Sequence, residues 1–347
     1  MNSTEVAKIA GVSRSTVSRV INGYPNVPKE TFEKVMEVVR EHNYYPNNSA
    51  RTLAGKPSSI IGIFFVDNSE SDRNIIRSSP FYTEFLAYFT DKIAKLGYAL
   101  MVSILRNDQG FDSLQSLFNQ KMISCGVFMG DIVPNKVLKY LSDNKHYSIL
   151  INQREHTDFE NIILLNTENY LGSYKAVELL IKSGHTRIAH IAGTNEKIST
   201  KRRLEGYKEC LLHNGLPFDE SLIIRANIHR EESGYQATQE LIQRTKANLP
   251  SAIFAANDLM AISALQALND MDIRVPDDVS LIGYDNVDMS KYTTPTLSTV
   301  STPLERLAEL ASVSLTYALE NDSIREQNLL MRDFDIVARN SIKNICK

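Results

Sequence analysis

Apolar positions recur at helical spacing at the start of the chain, then give way to short continuous apolar runs. Val6, Ile9 and Ala10 mark one stripe, and Val17, Val20 and Ile21 mark the next, which predicts two short helices. Between them Gly11 supplies a turn, and Ser13 is placed to cap the second helix by accepting from its first N–H groups. Small Ala7 lets the second helix pack closely over the first. A third helix is predicted over Lys29–His42, where Phe32, Val35, Met36 and Val39 fall at i, i+3, i+4 and i+7. These three helices make a domain over residues 1–46. Residues 47–57 read as a linker, with a short helix from Asn47 to Ala54 stopped by Gly55-Lys56-Pro57. A helix of that length does not persist alone.

From Ser59 the texture changes. Ile60–Val66, Tyr98–Ile104, Gly126–Met129, Ser148–Ile151, Ile162–Leu165, Arg187–Ile191, Leu222–Arg225, Ala252–Ala255 and Val279–Tyr284 are short apolar runs. Longer helical patterns separate most of them, such as Phe81–Leu96, Asn169–Ser183, Lys201–His213 and Asp258–Met271. Continuous apolar strands alternating with helices predict doubly wound parallel sheets covered on both faces. The fold class is therefore an all-α helix-turn-helix head followed by an α/β body, with strands enough for two doubly wound units. Ligands of such units bind at the carboxyl ends of the strands, so two facing units make a cleft. The polar stretch from Asp67 to Ser79 follows the first strand, where ligand-facing loops sit, and reads either as such a loop or as a solvated insertion.

Charge changes the picture of the head. The whole chain of 347 residues carries a net charge of −3, which by itself does not suggest nucleic acid. Residues 1–56, however, hold eight Lys and Arg against five Glu, while the remainder is acidic. A small basic head on a mildly acidic body attracts phosphates without making the whole surface adhesive. The second helix shows Arg14, Ser15, Thr16, Ser18 and Arg19 to the outside, side chains that read base edges and phosphates. Arg19 suits a bidentate contact to guanine, and Arg14, Ser15 and Thr16 sit near the helix start. Asn22 and Asn26 are further candidate DNA contacts, as are Ala50 and Leu53 on the linker. Leu53 has two readings: packing beneath the head, or a wedge between base steps of a minor groove.

The remaining composition sets boundaries. Cys125, Cys210 and Cys346 are isolated, which argues against a disulfide framework or a zinc site. No apolar run has membrane-spanning length and the N-terminus is polar, so a cytoplasmic, nucleoid-associated protein is expected. No cofactor and no metal are expected. An enzyme is disfavoured, because there is no Gly-x-Gly-x-x-Gly after a strand and no P-loop. His185 and His190 do not have metalloprotease spacing, and Asp258 and Asp285 read as hydroxyl acceptors rather than a catalytic pair. A transport binding protein fits the body equally well, but neither the head nor the absence of a signal peptide fits that reading.

Several motifs carry a resemblance to the lactose/galactose repressor family of bacterial transcription regulators. In the linker these are Tyr45-Pro46-Asn47 and Ala50-Arg51-Thr52-Leu53. In the body they are Ser183-Gly184-His185-Thr186-Arg187-Ile188-Ala189, Arg203-Leu204-Glu205-Gly206-Tyr207, Ala256-Asn257-Asp258-Leu259-Met260-Ala261, and the run from Arg274 to Asp285. The resemblance spans about Asn2 to Ser341. It implies an effector-binding and dimerisation domain over 58–347 built of two periplasmic-binding-protein-like subdomains. One would hold about 58–163 plus 291–320, the other about 164–290 plus 321–347.

The resemblance also implies effector contacts. Phe81 matches an aromatic lining the cleft, and Asn152 a polar residue that hydrogen-bonds effector. Ser199 and Arg203 match polar and cationic contacts, with Lys201 a second cationic candidate. Asn257 and Asp285 match an amide and a carboxylate that bind hydroxyls. His229 departs from the pattern, standing where relatives often place Phe or Trp. His229 has two readings: with Arg203 and Lys201 it favours an anionic sugar such as a uronate, or it is a partly exposed histidine with no ligand role. Some relatives end in a leucine-rich tetramerising helix that is not seen here, so a two-fold homodimer on near-palindromic operator DNA is expected. The implied function is a DNA-binding repressor of carbohydrate-utilisation genes, switched by a small sugar or sugar acid.

Overall fold

The computed structural model describes residues 1–21, 24–42, 44, 58–68, 74–193, 197–226 and 232–346, without the side chains of 107–109. It divides into two compact units, Met1–Ser58 and Ser59–Lys347.

The first unit contains helices α1 (Ser3–Ala10), α2 (Arg14–Ile21) and α3 (Lys29–Glu41). Asn2 opens α1 reciprocally with Glu5. The Asn2 side chain accepts from the N–H groups of Thr4 and Glu5 at 2.9 and 3.1 Å, and the Glu5 carboxylate accepts from the Asn2 N–H at 2.9 Å. Gly11 closes α1 at φ 64°, a left-handed conformation that a side chain would resist. Ser13 Oγ accepts from the Thr16 N–H at 3.1 Å, as a cap of α2 should. Val6, Ala7, Ala10, Val17, Val20, Val35, Val38 and Tyr44 form the core. Two side chains expected inside are not. Ile9 is 50% exposed and Phe32 41%. The core of three short helices is too small to enclose every apolar position on their stripes. Val6, Ala7 and Ala10 take the inner face of α1, and Val35 and Val38 take that of α3.

The second unit has two six-stranded sheets among the described residues. The first holds β1 (Ile60–Val66), β2 (Ala99–Leu105), β3 (Cys125–Gly130), β4 (Ser148–Ile151), β5 (Ile162–Thr167) and β11 (Asn328–Met331) in the order 11-5-4-3-1-2. The second holds β6 (Ile188–Ala192), β7 (Ile223–Arg225), β8 (Ala252–Ala255), β9 (Ser280–Asp285), β10 (Ser298–Ser301) and β12 (Asp335–Val337) in the order 12-10-9-8-6-7. All pairings are parallel except that of β10 with β12. Each order reverses once in its middle, between β1 and β3 and between β6 and β8, which is where such sheets open a crevice at their carboxyl ends.

Helices α4 (Pro80–Lys95) and α11 (Leu304–Asn321) cover one face of the first sheet, and α5 (Asn107–Asn119) and α6 (Asn135–Asp143) cover the other. In the second lobe, α9 (Ser233–Arg244) and α10 (Asp258–Asp270) lie on one face, with α7 (Asn169–Lys182) and α8 (Ile198–His213) on the other. With both faces covered, the inner strands are buried along their length, which is why they read as uninterrupted apolar runs.

The chain passes between lobes after Thr167, after Ser301 and after Met331. The second passage comes later than the expected boundary near residue 291, because Ser298–Ser301 pairs with β9 and so belongs to the second lobe. The return also differs: Asn328–Met331 pairs with β5 and stays with the first lobe. The stretch from Asp67 to Ser79 is not simply a solvated insertion. Its described part buries Ile75, 3% exposed, in the first lobe's core.

Helices α7 and α8 approach backbone to backbone. A Cβ on Gly206 would lie 2.3 Å from the Tyr170 carbonyl oxygen. Ser173, one turn along α7, donates to the Arg203 carbonyl at 2.6 Å. Gly206→Ala is therefore expected to force the two helices apart and to cost about 1–3 kcal/mol. Urea denaturation of the intact protein measures this, and an unchanged midpoint would contradict so tight a contact.

Candidate functional site

Two surfaces carry the candidate chemistry. On the head, α2 turns Val17 and Val20 inward, so Arg14, Ser15, Ser18 and Arg19 are exposed and Thr16 is half-exposed. Arg14 is held by its Nε donating to Ser3 Oγ at 3.1 Å, which ties the start of α2 to α1. Ser13 Oγ lies 2.7 Å from Ser15 Oγ and 2.8 Å from Thr16 Oγ1, so the first turn is a connected hydroxyl cluster. Asn26 is exposed. The head thus presents two guanidinium groups and several hydroxyls on one helix, with no apolar side chain among them. Asn22, Ala50 and Leu53, with the rest of the linker helix, lie outside the described residues.

The body has a cavity between its lobes. Its walls come from the carboxyl ends of both sheets, as the strand order requires. The first lobe supplies Met129 and Gly130 at the end of β3, Ile151 and Asn152 at the end of β4, and Ser79, Phe81 and Tyr82 at the start of α4. The second lobe supplies Lys197, Ser199 and Arg203 from the start of α8, Asn257 after β8, and Asp285 at the end of β9. Phe81, Asn152, Ser199, Arg203, Asn257 and Asp285 are thereby brought together. His229 lies outside the described residues.

Arg203 organises the second lobe's wall. Its side chain is buried, with Nε donating to Asn169 Oδ1 at 2.8 Å, Nη1 to the Ala256 carbonyl, and Nη2 to Asp285 Oδ1 at 3.2 Å. The guanidinium carbon lies 3.7 Å from the centre of the Tyr284 ring. Burial lifts the Asp285 carboxyl to about 6, with Arg203 opposing the rise. Asn169 in turn donates to the Thr167 carbonyl and hydroxyl, both at 2.9 Å. Asn152 Oδ1 accepts from the Thr167 N–H at 2.8 Å and its hydroxyl at 3.1 Å, so the amide nitrogen is the group Asn152 offers the cavity. Asn257 Oδ1 caps α10 through the Met260 N–H at 2.8 Å.

Three expectations need correction. Lys201 does not face this cavity. It is exposed and lines a different groove, because Ser199 and Arg203 are one helical turn apart and Lys201 points away from both. Asp258 is not a hydroxyl acceptor for a ligand. It is fully buried, accepting from Thr299 Oγ1 at 2.6 Å and the Val287 N–H at 2.9 Å, and burial raises its pKa well above the carboxylate range. It fixes the segment after Asp285 to β10. The grouping of cations behind a uronate ligand is also not assembled, since Arg203 is paired with Asp285 and Lys201 is elsewhere.

Sequence reasoning also missed residues. Lys197 is buried and sits 3.3 Å from Asp131, an ion pair across the two lobes. It lies just ahead of α8, so helical periodicity gives no clue to its direction. Tyr82 is buried beside Asp131, Asp285 and Asp67, and burial first, then those carboxylates, raise its pKa. Its hydroxyl therefore remains a donor at neutral pH. The only sequence signal was its position next to Phe81.

Residues 4–47 match the family described as bacterial regulatory proteins, lacI family, and residues 177–342 match the periplasmic binding protein-like domain. Catabolite control protein A of Priestia megaterium is 32% identical over 324 residues, covering 92% of this chain and 93% of that protein. The lac repressor dimer bound to operator and the anti-inducer ONPF superposes with a TM-score of 0.83, at 25% identity and 99% coverage of both chains. A complex of the transcriptional regulator CelR with cellobiose gives 0.74, at 26% identity, with 98% of this chain and 99% of that one covered.

The position of Asp285 makes a pH-dependent prediction. Between its ordinary value and about 6, the folded state holds a proton on this carboxyl that the unfolded state has lost. Its contribution to stability therefore falls as pH rises through that window. Relative to Asp285→Asn, the wild-type protein should lose about 1 kcal/mol of stability between pH 5 and 7. Paired urea titrations check this, and a difference independent of pH would show that Asp285 is not raised.

Proposed function

The chain belongs to the lacI family of bacterial regulatory proteins, and from that premise we propose a transcriptional repressor whose hold on operator DNA is set by a small carbohydrate in the interlobe cavity. The observation that carries this reading is the cavity itself. It joins fixed amides, a carboxylate, a buried tyrosine hydroxyl and an aromatic face at the carboxyl ends of two sheets. Hydroxyl-rich ligands require such fixed polar partners when water is excluded, and a partner left unpaired by the wrong ligand is costly. Lys197 is balanced by Asp131 and Arg203 by Asp285, so the described walls match a neutral sugar better than a uronate. Phe81, Asn152, Ser199, Arg203, Asn257 and Asp285 are the proposed effector contacts.

The proposed partners are a near-palindromic operator and a second copy of the chain, in the cytoplasm. Support for the homodimer comes from the first lobe. β2 lies at the edge of its sheet, Val102 on it is 43% exposed, and Tyr88 and Leu96 nearby in sequence are 41% and 46% exposed. An apolar edge strand is an aggregation hazard unless something covers it. In the proposed cycle, each head reads one half-site through Arg14, Ser15, Thr16, Arg19, Asn22 and Asn26, with Ala50 and Leu53 reaching the minor groove. Sugar binding closes the lobes, moves the paired first lobes relative to one another, and releases the linker helices from the groove. A shift from 1:99 to 99:1 between such states takes about 5.5 kcal/mol of differential affinity. A thermal-shift screen of neutral sugars and sugar acids, repeated with operator release as readout, tests the assignment. Stabilisation by sugar acids alone would overturn the neutral-sugar reading.

Two substitutions separate the contributions to DNA binding. Arg19→Ala should lose about 1–3 kcal/mol of discrimination at one base position in each half-site. Selection from a randomised operator library checks this, and an unchanged consensus would remove Arg19 from base reading. Leu53→Ala should weaken operator binding and reduce DNA bending while leaving sugar affinity unaltered. Circular-permutation gel shifts read the bend, and a bend that persists would count against the wedge.

A further inference from the structure

Helix α8 has two polar faces. Ser199 and Arg203, one turn apart, line the cavity. Ile198, Lys201, Arg202 and Glu205 fall at i, i+3, i+4 and i+7, and so form a separate stripe. That stripe lines a second groove, whose opposite wall includes Gln153, Arg154 and Glu155 of the first lobe.

The charges of this groove do not cancel. Arg202 is satisfied, held by Glu155 across the lobes and by Glu205 on its own helix at 2.7 Å. Lys201 and Arg154 meet no carboxylate among the described residues. Arg154 spends Nη1 on Asn135 Oδ1 at 2.6 Å and Nη2 on the Val133 carbonyl, and its Nε has no acceptor. Burial lowers its pKa, the signature of a cation drawn out of water without a counter-charge. Gln153 is 3% exposed. Its Oε1 accepts from the Val133 N–H at 3.0 Å, but its Nε2 has no partner. Both orphaned nitrogens are sealed from solvent, so what the groove itself presents is the two cations without counter-charges.

We propose that this groove is a second ligand site, taking a phosphate group, either inorganic or carried as a monoester on a small metabolite. Phosphate offers several acceptor oxygens and up to two negative charges, which is what one cation without a counter-charge from each lobe lacks. An occupant touches both lobes at once. It therefore biases their closure and, by linkage, the affinity of the interlobe cavity for its own ligand.

Calorimetry on the full chain in phosphate-free buffer tests this, with inorganic phosphate and ribose 5-phosphate as probes. At least one probe should bind. Saturation by inorganic phosphate identifies the free anion as sufficient, and saturation by ribose 5-phosphate alone identifies the monoester. Lys201→Glu should weaken that binding by about tenfold or more. Lys201 is exposed, so this variant keeps its fold, verified by an unchanged melting temperature. Phe81→Ala, in the cavity, should leave phosphate binding as it is. The site is overturned if neither probe saturates, if Lys201→Glu binds as well as wild type, or if Phe81→Ala abolishes binding, since the last would place the phosphate in the cavity.

Discussion

A guanidinium buried at the mouth of a parallel sheet has to be paired, and each of the three nitrogens of Arg203 has a partner. Taking such an ion out of water costs several kcal/mol unless hydrogen bonds and a counter-charge replace the solvent. Asn169, the Ala256 carbonyl and Asp285 supply them, and the Tyr284 ring covers the flat face. These partners come from the start of α7, the end of β8 and the end of β9. The pairing requirement therefore fixes three strand-to-helix junctions of the second lobe relative to one another. Asn169 extends the constraint through Thr167 to Asn152, which belongs to the first lobe's side of the cavity. Asp258 completes the arrangement from behind by tying Val287 and Thr299 together. The polar groups of the cavity are rigid before any ligand arrives, because releasing one would strand a buried charge.

The parts legible in the sequence were those whose physics is local. Parallel strands covered on both sides bury every residue, so Ile60–Val66 and Ser148–Ile151 stand out as unbroken apolar runs. The turn and caps of the head were equally readable, since Gly11 and Ser13 act on their immediate neighbours. Strands β10, β11 and β12 left no such mark. Ser298-Thr299-Val300-Ser301 is mostly polar, and it is a strand only because β9 and β12 lie on either side of it. Subdomain boundaries failed at the same place for the same reason, since the passage between lobes depends on which strand that segment pairs with. Within the cavity, motif matching gathered Asn152, Arg203, Asn257 and Asp285 but misassigned Lys201. Helical phase argued against it: two residues from both Ser199 and Arg203, it faces another way. Lys197 precedes the helix, so no periodicity could have located it.

The lobes are joined by three chain passages and, across the gap, by polar contacts of modest strength. Lys197 meets Asp131 at 3.3 Å, the Asp288 N–H donates to Glu84 at 3.2 Å, and Arg202 meets Glu155. Arg202 and Glu155 are partly exposed, and such a pair contributes about 0–1 kcal/mol; Lys197 is buried, and desolvation offsets much of its attraction to Asp131. Contacts so weak do not lock one lobe arrangement, and a two-state element needs alternatives separated by only a few kcal/mol. A ligand of the kind proposed, bridging Phe81 and Asn152 on one side and Arg203, Asn257 and Asp285 on the other, would add its own contacts to both lobes at once. The design separates two tasks: each lobe is stiff, with a close-packed core, while the relation between lobes is left to whatever occupies the space between them. In a regulator that separation is what allows a small molecule to act as a switch. Its binding energy is not consumed in ordering the walls, which Arg203 and Asp258 have already done, and remains available to choose between arrangements of the lobes.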